Sequence, residues 1–398
     1  MDENMTPEQF QTQIAALNHE IYELHKQLEQ KEQQIQTSTM IDKKNPFDNP
    51  TEYPDYNGDY TDIVPQIEIP GCKIPVEPHK GEKKRLRRFY SIGGSSIIFH
   101  FLFTMLFSMI AIGVAMFVLQ LKNPDVPYET LYNYAYSSSI IISITAVTYL
   151  IANVLFTFIG LKWSKQGGSS LMKTRDFTVG KAVQYCFSAI FIQYGAAIFS
   201  TIFSDILSKY GYSTMIDNSG LAETFPATII LIIYQCIIAP VTEELFYRGM
   251  VLKTFSKANQ RFAIVASSVF FGLAHGNLPQ FMLAFLLGMF LAHISIKHNS
   301  LLPSIIVHMF VNTTATVINF AITEFEDSYL IIGAVNIVYL LMAVAGLVLF
   351  IEFSLKNKLP RTTPQQSRRG FAVAKTSLPM IIAFVLLAGN TILTIMMS

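Results

Sequence analysis

Three short patterns carry ionisable and strongly polar side chains into otherwise apolar stretches: Glu243-Glu244-x-x-x-Arg248, Phe271-x-x-x-His275 and His308-x-x-x-Asn312. Hydrolysis of an amide needs a base to activate water, a proton for the leaving amine and donors aimed at the developing oxyanion. Carboxylates, imidazoles and a carboxamide supply all three. Such groups are costly inside a bilayer and normally face a protein interior or a wet cavity. Two acids, an arginine, two histidines and an asparagine in consecutive apolar segments therefore predict one shared site, a hydrolytic centre buried in the membrane. Singly, each has a blander reading. A glutamate pair ahead of an arginine is commonly a salt-bridged helix face, and a lone histidine on an apolar span commonly packs and hydrogen-bonds. His100 and His293 also lie in apolar runs and are assigned no role. Packing does not account for all three patterns in this order.

The elements that must position these groups are membrane helices. Of 398 residues, 51% are hydrophobic and 14% charged, and the apolar residues are gathered into long runs, which excludes an ordinary soluble protein. Several runs reach the roughly 20 residues needed to cross a bilayer core of about 30 Å. Spans are expected near 95–120, 137–161, 182–204, 224–247, 262–276, 279–296, 300–322, 329–353 and 377–397, the last being transmembrane, interfacial or re-entrant. The fold class is all-α, a polytopic membrane protein of about eight or nine transmembrane helices. A basic collar from Lys80 to Arg88 precedes the first span. The positive-inside rule then puts the N-terminus in the cytoplasm. Alternation leaves most lysines and arginines of the connecting loops on the same side, as a multi-pass plasma-membrane protein requires.

Spacing brings the groups to one depth. The fourth and fifth spans read as a hairpin turning at Asn259, with Glu243 and His275 each 16 residues from it, or about 24 Å at 1.5 Å per residue. His308 and Asn312 lie nine and thirteen residues past a turn at Asn299, roughly 14 and 20 Å in. Glu244 and Arg248 share a helix face, as do His308 and Asn312. Pro240 lacks an amide hydrogen and breaks the helix just before the acids, a break tolerated where freed backbone lines a cavity or finds other partners. Gly272 and Gly276 are spaced for close approach of a neighbouring helix.

The region before the first span differs in character. Residues 1–79 hold 15 acids against 5 bases. Phe10, Ile14, Leu17, Ile21, Leu24, Leu28 and Ile35 form a heptad seam, the mark of a cytoplasmic coiled-coil helix within 1–36 that self-associates or binds a partner. A disordered acidic linker with seven prolines follows from residue 37, and with the basic collar it makes up segment 37–88. The transmembrane domain is expected over 89–398, with its chemistry in about 224–320. Cys72, Cys186 and Cys236 are far apart with no CxxC spacing, so neither a disulfide framework nor a cysteine metal site is expected. The first apolar run begins only after about ninety mostly polar residues, so no cleavable signal peptide is expected.

The ordered set EExxxR, FxxxH and HxxxN resembles the CAAX protease and bacteriocin-processing (Abi) family, which includes the type II CAAX prenyl endopeptidase. The match covers about a quarter of the chain. It implies an intramembrane endopeptidase in which Glu243 activates water with help from His275. His308 and Asn312 would polarise the scissile carbonyl and hold the oxyanion, while Glu244, Arg248 and Phe271 would support the site. The implied substrate is a membrane-anchored, prenylated CAAX-type or hydrophobic peptide, and nucleic acid is not an expected partner. No cofactor is assigned. Zinc is the alternative, because Glu243, His275 and His308 make a known zinc ligand set; Asn312 favours a metal-free glutamate mechanism. The non-enzymatic alternative is a membrane immunity protein or scaffold of the same fold. A transporter would favour internal repeats or paired broken helices, and the sequence shows neither.

Overall fold

The computed structural model describes residues 16–27, 78–137, 140–168, 171–172, 174, 177–212, 225–357 and 371–397. The acidic linker, Cys72 and most of the heptad seam lie outside the described residues. Among the described residues the fold is helical without strands: α1 (16–27), α2 (Pro78–Lys122), α3 (Tyr128–Ser137), α4 (Ile140–Trp163), α5 (Val179–Ser208), α6 (225–256), α7 (Gln260–Leu273), α8 (Leu278–His298), α9 (Leu302–Glu324), α10 (Tyr329–Lys356) and α11 (Leu378–Met397). Eight of these are long and apolar enough to cross a membrane, α11 included, and α7 is a shorter apolar helix.

Side-chain caps set the breaks around the site. Asn259 accepts from the Phe262 amide at 2.9 Å to start α7, and Asn277 accepts from the Gln280 amide at 2.9 Å to start α8. Each satisfies a donor that the first helical turn leaves without a partner. Asn299 ends α8 in the left-handed conformation, φ 50°, which asparagine tolerates better than most residues. Pro303 then stands in the first turn of α9, where its missing amide hydrogen costs nothing.

Three expectations are corrected. The helix of the first span begins at Pro78, so the basic collar is itself helical, as the start of α2. Leu86, Phe89 and Tyr90 are buried within the collar region, and Tyr90 packs its ring on Phe255 and Phe262. The stretch after the first span contains a helix, α3, whose Leu131 and Ala135 bury against Met116 of α2. The fifth helix starts and ends two to three residues earlier than expected. At 14 residues α7 is about 21 Å long, less than a bilayer core, and His275 sits in the turn after it instead of on the helix. Gly276 is in that turn at φ +70° and lies against Asn390 of α11, while Gly272 lies against Phe281 of α8.

Two buried clusters make the interior. One joins α2, α4, α6, α7 and α11; the other joins α5 and α10, and α8 and α9 contribute to both. The connections after α4, α6 and α8 meet at one end of the bundle. The Leu301 amide donates to the Leu171 carbonyl at 2.8 Å, Lys253 Nζ to the Gly167 carbonyl at 2.6 Å, and Gln166 Nε2 to Thr254 Oγ1 at 3.2 Å. Ser91 and Ser377 hydroxyls, 3.0 Å apart, tie the start of α2 and the segment before α11 to each other.

Candidate active site

The helix carrying the two acids is broken twice. Phe225–Ile233, Ala239–Glu244 and Lys253–Ser256 are α-helical, and Tyr234–Ile238 and Leu245–Leu252 between them are π-helical. Pro240 explains what happens at the first break. The Ala239 amide donates to the Tyr234 carbonyl, five residues back, so it no longer serves Gln235 four residues back. The next residue, Pro240, has no hydrogen to offer. The Gln235 carbonyl is thereby released from the helix ladder. Asn312 Nδ2 of α9 donates to it at 2.9 Å. A π segment of this kind is frequently found at functional sites, and here it fastens α9 to α6 at Gln235, about two turns before Glu243.

Four charged or ionisable groups then meet in a line. Arg248 Nη1 is 2.8 Å from Glu244 Oε1, both fully buried. The same Glu244 oxygen is 3.1 Å from His308 Nδ1, and His308 Nε2 lies 3.8 Å from Glu243 Oε2. Glu243 retains 13% side-chain exposure against 0% for Glu244, so adjacent glutamates face different surroundings: one enclosed in the interior, the other partly exposed. A carboxylate only accepts, so the Nδ1 contact fixes a proton on Nδ1 of His308 and turns Nε2 towards Glu243.

Phe271 is the wall between the imidazoles. It is buried, its ring lies edge-on 5.7 Å from His308 and 5.0 Å from His275, and the Arg248 guanidinium carbon sits 4.3 Å over its face. Cation and ring attract, most strongly when dry. Arg248 Nη2 also donates to the Gly288 carbonyl at 3.4 Å. A Cβ at Gly288 would stand 3.2 Å from that nitrogen and 3.3 Å from the Phe271 ring, so a side chain there would press on both. His275 Nδ1 lies 2.8 Å from the Phe271 carbonyl. The carbonyl accepts, so Nδ1 carries the proton and Nε2 of the neutral ring is the acceptor.

Each expected site residue therefore has a place. Glu243, Glu244, Arg248, Phe271 and His308 are in one contact group; His275 joins it through Phe271, and Asn312 joins it through the Gln235 carbonyl. As for zinc, among the described residues no group of three His, Cys, Asp or Glu side chains is arranged to hold a metal. His308 Nδ1 is engaged by Glu244 and His275 Nδ1 by backbone, which leaves Nε2 as the nitrogen each ring has available, for a substrate or a metal alike.

Sequence reasoning passed over a second polar chain behind the acids. His100 Nε2 of α2 is 2.9 Å from Asn153 Oδ1 of α4, and Asn153 Nδ2 donates to Thr242 Oγ1 at 3.1 Å. Thr242 donates in turn to the Ile238 carbonyl at 2.9 Å. All three side chains are buried, and His100 also stacks on Phe246 with ring centres 4.5 Å apart. The chain ends one residue before Glu243 and holds the broken helix from the side opposite α9. Tyr149, Tyr234 and Tyr247 lie within electrostatic reach of Glu243. A signal for the chain existed in the sequence: His100 and Asn153 are polar groups in long apolar runs, but nothing in their spacing pairs them.

Residues 225–314 match the family described as Type II CAAX prenyl endopeptidase Rce1-like, and all seven positions from Glu243 to Asn312 fall within that stretch. The chain is also similar to the Bacillus subtilis (strain 168) protein named "Putative membrane peptidase YdiL", with 25% identity over 140 residues. That alignment covers 34% of this chain and 56% of the relative, so the chain spans little more than half the length of the curated protein it matches. No solved structure matches.

Proposed function

We propose that this chain, a member of the CAAX protease and bacteriocin-processing family through its 225–314 core, is an intramembrane endopeptidase. Its substrate would be a membrane-anchored, prenylated CAAX-type or hydrophobic peptide. The observation that carries this reading is the line Arg248–Glu244–His308–Glu243, with contacts of 2.8, 3.1 and 3.8 Å. Two carboxylates are balanced by Arg248 and a protonated His308, which leaves the buried group neutral as a whole, the arrangement that a low-dielectric interior favours. In that state His308 Nε2–H is a donor beside Glu243.

Glu243 takes a proton from water, assisted by the Nε2 lone pair of His275, and the resulting hydroxide adds to the scissile carbonyl. The oxyanion receives His308 Nε2–H, and the second amide hydrogen of Asn312 adds a further donor. Protonated Glu243 then gives its proton to the departing amine as the C–N bond breaks, leaving a carboxylic acid and an amine as products and Glu243 again ionised. Glu244 and Arg248 position His308 and do not touch substrate. The bundle end that gathers the basic loops is read as the cytoplasmic face of a plasma-membrane protein by the positive-inside rule. In α1, Leu17, Ile21 and Leu24 are exposed, which supports self-association through 8–36.

The test is cleavage of a labelled membrane-peptide library by the full chain in nanodiscs, comparing wild type with Glu243→Ala and His308→Ala, each with and without a strong chelator. Cleavage should fall by about 100-fold or more in both variants and withstand the chelator. Cleavage surviving in both variants removes this site assignment. Loss on chelation would replace the glutamate mechanism with a metal-dependent one, and a fully folded wild type inert across the library favours the immunity-protein or scaffold reading.

A further inference from the structure

A cavity of about 810 Å³ lies between α5, α7, α8 and α10, on the other side of α8 from the acids. Gly288 of α8 faces Arg248 and Phe271, whereas Met289, Phe290 and His293 line the cavity with Phe191 of α5, Val265 of α7 and Phe350 of α10. The lining is apolar except for Arg261, His293, Ser354 and Asn357. These four share one end. Arg261 is in the first turn of α7, His293 in the last turns of α8, Ser354 in the last turn of α10, and Asn357 caps α10. That is the end where the basic loops meet.

The charge at this mouth is positive. Lys297, one turn beyond His293 and exposed, hydrogen-bonds Asn357 Oδ1 and stands 5.6 Å over the ring of Phe353, itself a lining residue. Lys181 is close enough to Lys297 for the two to interact electrostatically. The acid nearby, Glu352, is engaged by Lys356 at 2.6 Å and by Gln184 at 3.3 Å. On α8 the lining runs from His293 inward to Leu286, seven residues, or about 10 Å. The space is thus apolar and cationic at a single end.

We infer that this cavity binds an anionic phospholipid, with an acyl chain along the apolar part and the phosphate at Arg261 and Lys297. Basic pockets between transmembrane helices on the cytoplasmic side suit anionic head groups, each lysine or arginine adding to the attraction. A zwitterionic lipid would bring a second cation to the same mouth and lose that advantage. The inference stands apart from the hydrolytic reading, since binding is measured without turnover.

The experiment is native mass spectrometry of the delipidated full chain in detergent, resupplied with equimolar phosphatidylglycerol and phosphatidylcholine of identical acyl chains. Wild type should retain the anionic lipid with about a tenfold preference or more. The double variant Arg261→Gln, Lys297→Gln should lose the preference. Gly195→Phe should lose the retained lipid altogether: Gly195 lines the cavity and a Cβ there meets nothing within 4 Å, so the ring can enter. A melting transition in each variant reports folding, and the two variants change different parts of the site. Equal retention of both lipids by wild type overturns the inference. So does a preference that survives in the double variant, or retention unchanged by Gly195→Phe.

Discussion

Helices α6 and α10 are both long enough to cross a bilayer, and they solve opposite problems. α10 is an uninterrupted helix of 28 residues whose most apolar stretch is 11% buried; the corresponding stretch of α6 is 33% buried, and the helix is broken by two π segments. In α10 more than half of the side chains are exposed, one face packs on α5 through Gly346 and Tyr339, and only Ala343, Gly346 and Phe353 are buried. In α6 a continuous run from Phe246 to Ser256 is buried, including Arg248 and Lys253. In water the oilier helix would be expected inside. With hydrocarbon as the surroundings, apolar side chains gain little by leaving it, and polar groups gain most from protein partners. The less apolar helix is therefore the one enclosed, and its broken ladder is repaired by its neighbours.

The largest effect that would test this contrast is Arg248→Ala. It leaves Glu244 buried without its cation, a change worth about 3–5 kcal/mol of destabilisation, and should abolish a cooperative melting transition or lower its midpoint sharply in detergent. A midpoint near wild type would show that the buried pair does not hold the site together. Next is the repaired break. Asn312→Leu removes the donor to the Gln235 carbonyl, a loss of about 1–3 kcal/mol for a polar group left unsatisfied. Pro240→Ala gives residue 240 an amide hydrogen and should make Asn312 less necessary, so the two substitutions should be coupled by at least about 0.5 kcal/mol. Strict additivity in a double-mutant cycle would sink that account.

A smaller effect is expected behind the acids. His100→Phe keeps an aromatic ring on Phe246 and deletes the bond to Asn153. If the chain from His100 to Thr242 positions Glu243, kcat should fall about three- to tenfold with KM unchanged. A change in melting alone, without one in kcat, would make the chain purely structural. The smallest effect belongs to α10. Leu341 is 62% exposed, and Leu341→Ala should move neither cleavage nor stability by more than about 0.5 kcal/mol. A large loss would mean that α10 has a buried face absent from this fold.

The all-helical membrane class was legible because it depends on run length and composition, which are local. So were the turns at Asn259 and Asn299, since asparagine caps or tolerates those backbone conformations through its own side chain. The helix at 128–137 was missed because ten residues with several tyrosines look like a loop until Leu131 and Ala135 find α2. The end of α7 was misread because Phe271, Ala274 and His275 continue an apolar run, while the turn at Gly276 depends on a positive φ that composition does not announce.

For the candidate site, the sequence by itself determined which residue types are available and, through spacing, that they can lie at similar depth. It also determined that Pro240 must release backbone near the acids, because proline has no hydrogen to donate. Only the tertiary structure decided which partner takes the released Gln235 carbonyl, and which glutamate is paired with Arg248 and which stays partly exposed. It also decided that His100 and Asn153 belong to the acid's support while His293 belongs to a separate cavity. Spacing along one helix fixes a face. Which neighbour meets that face is set by how helices distant in sequence pack, and no local pattern encodes that.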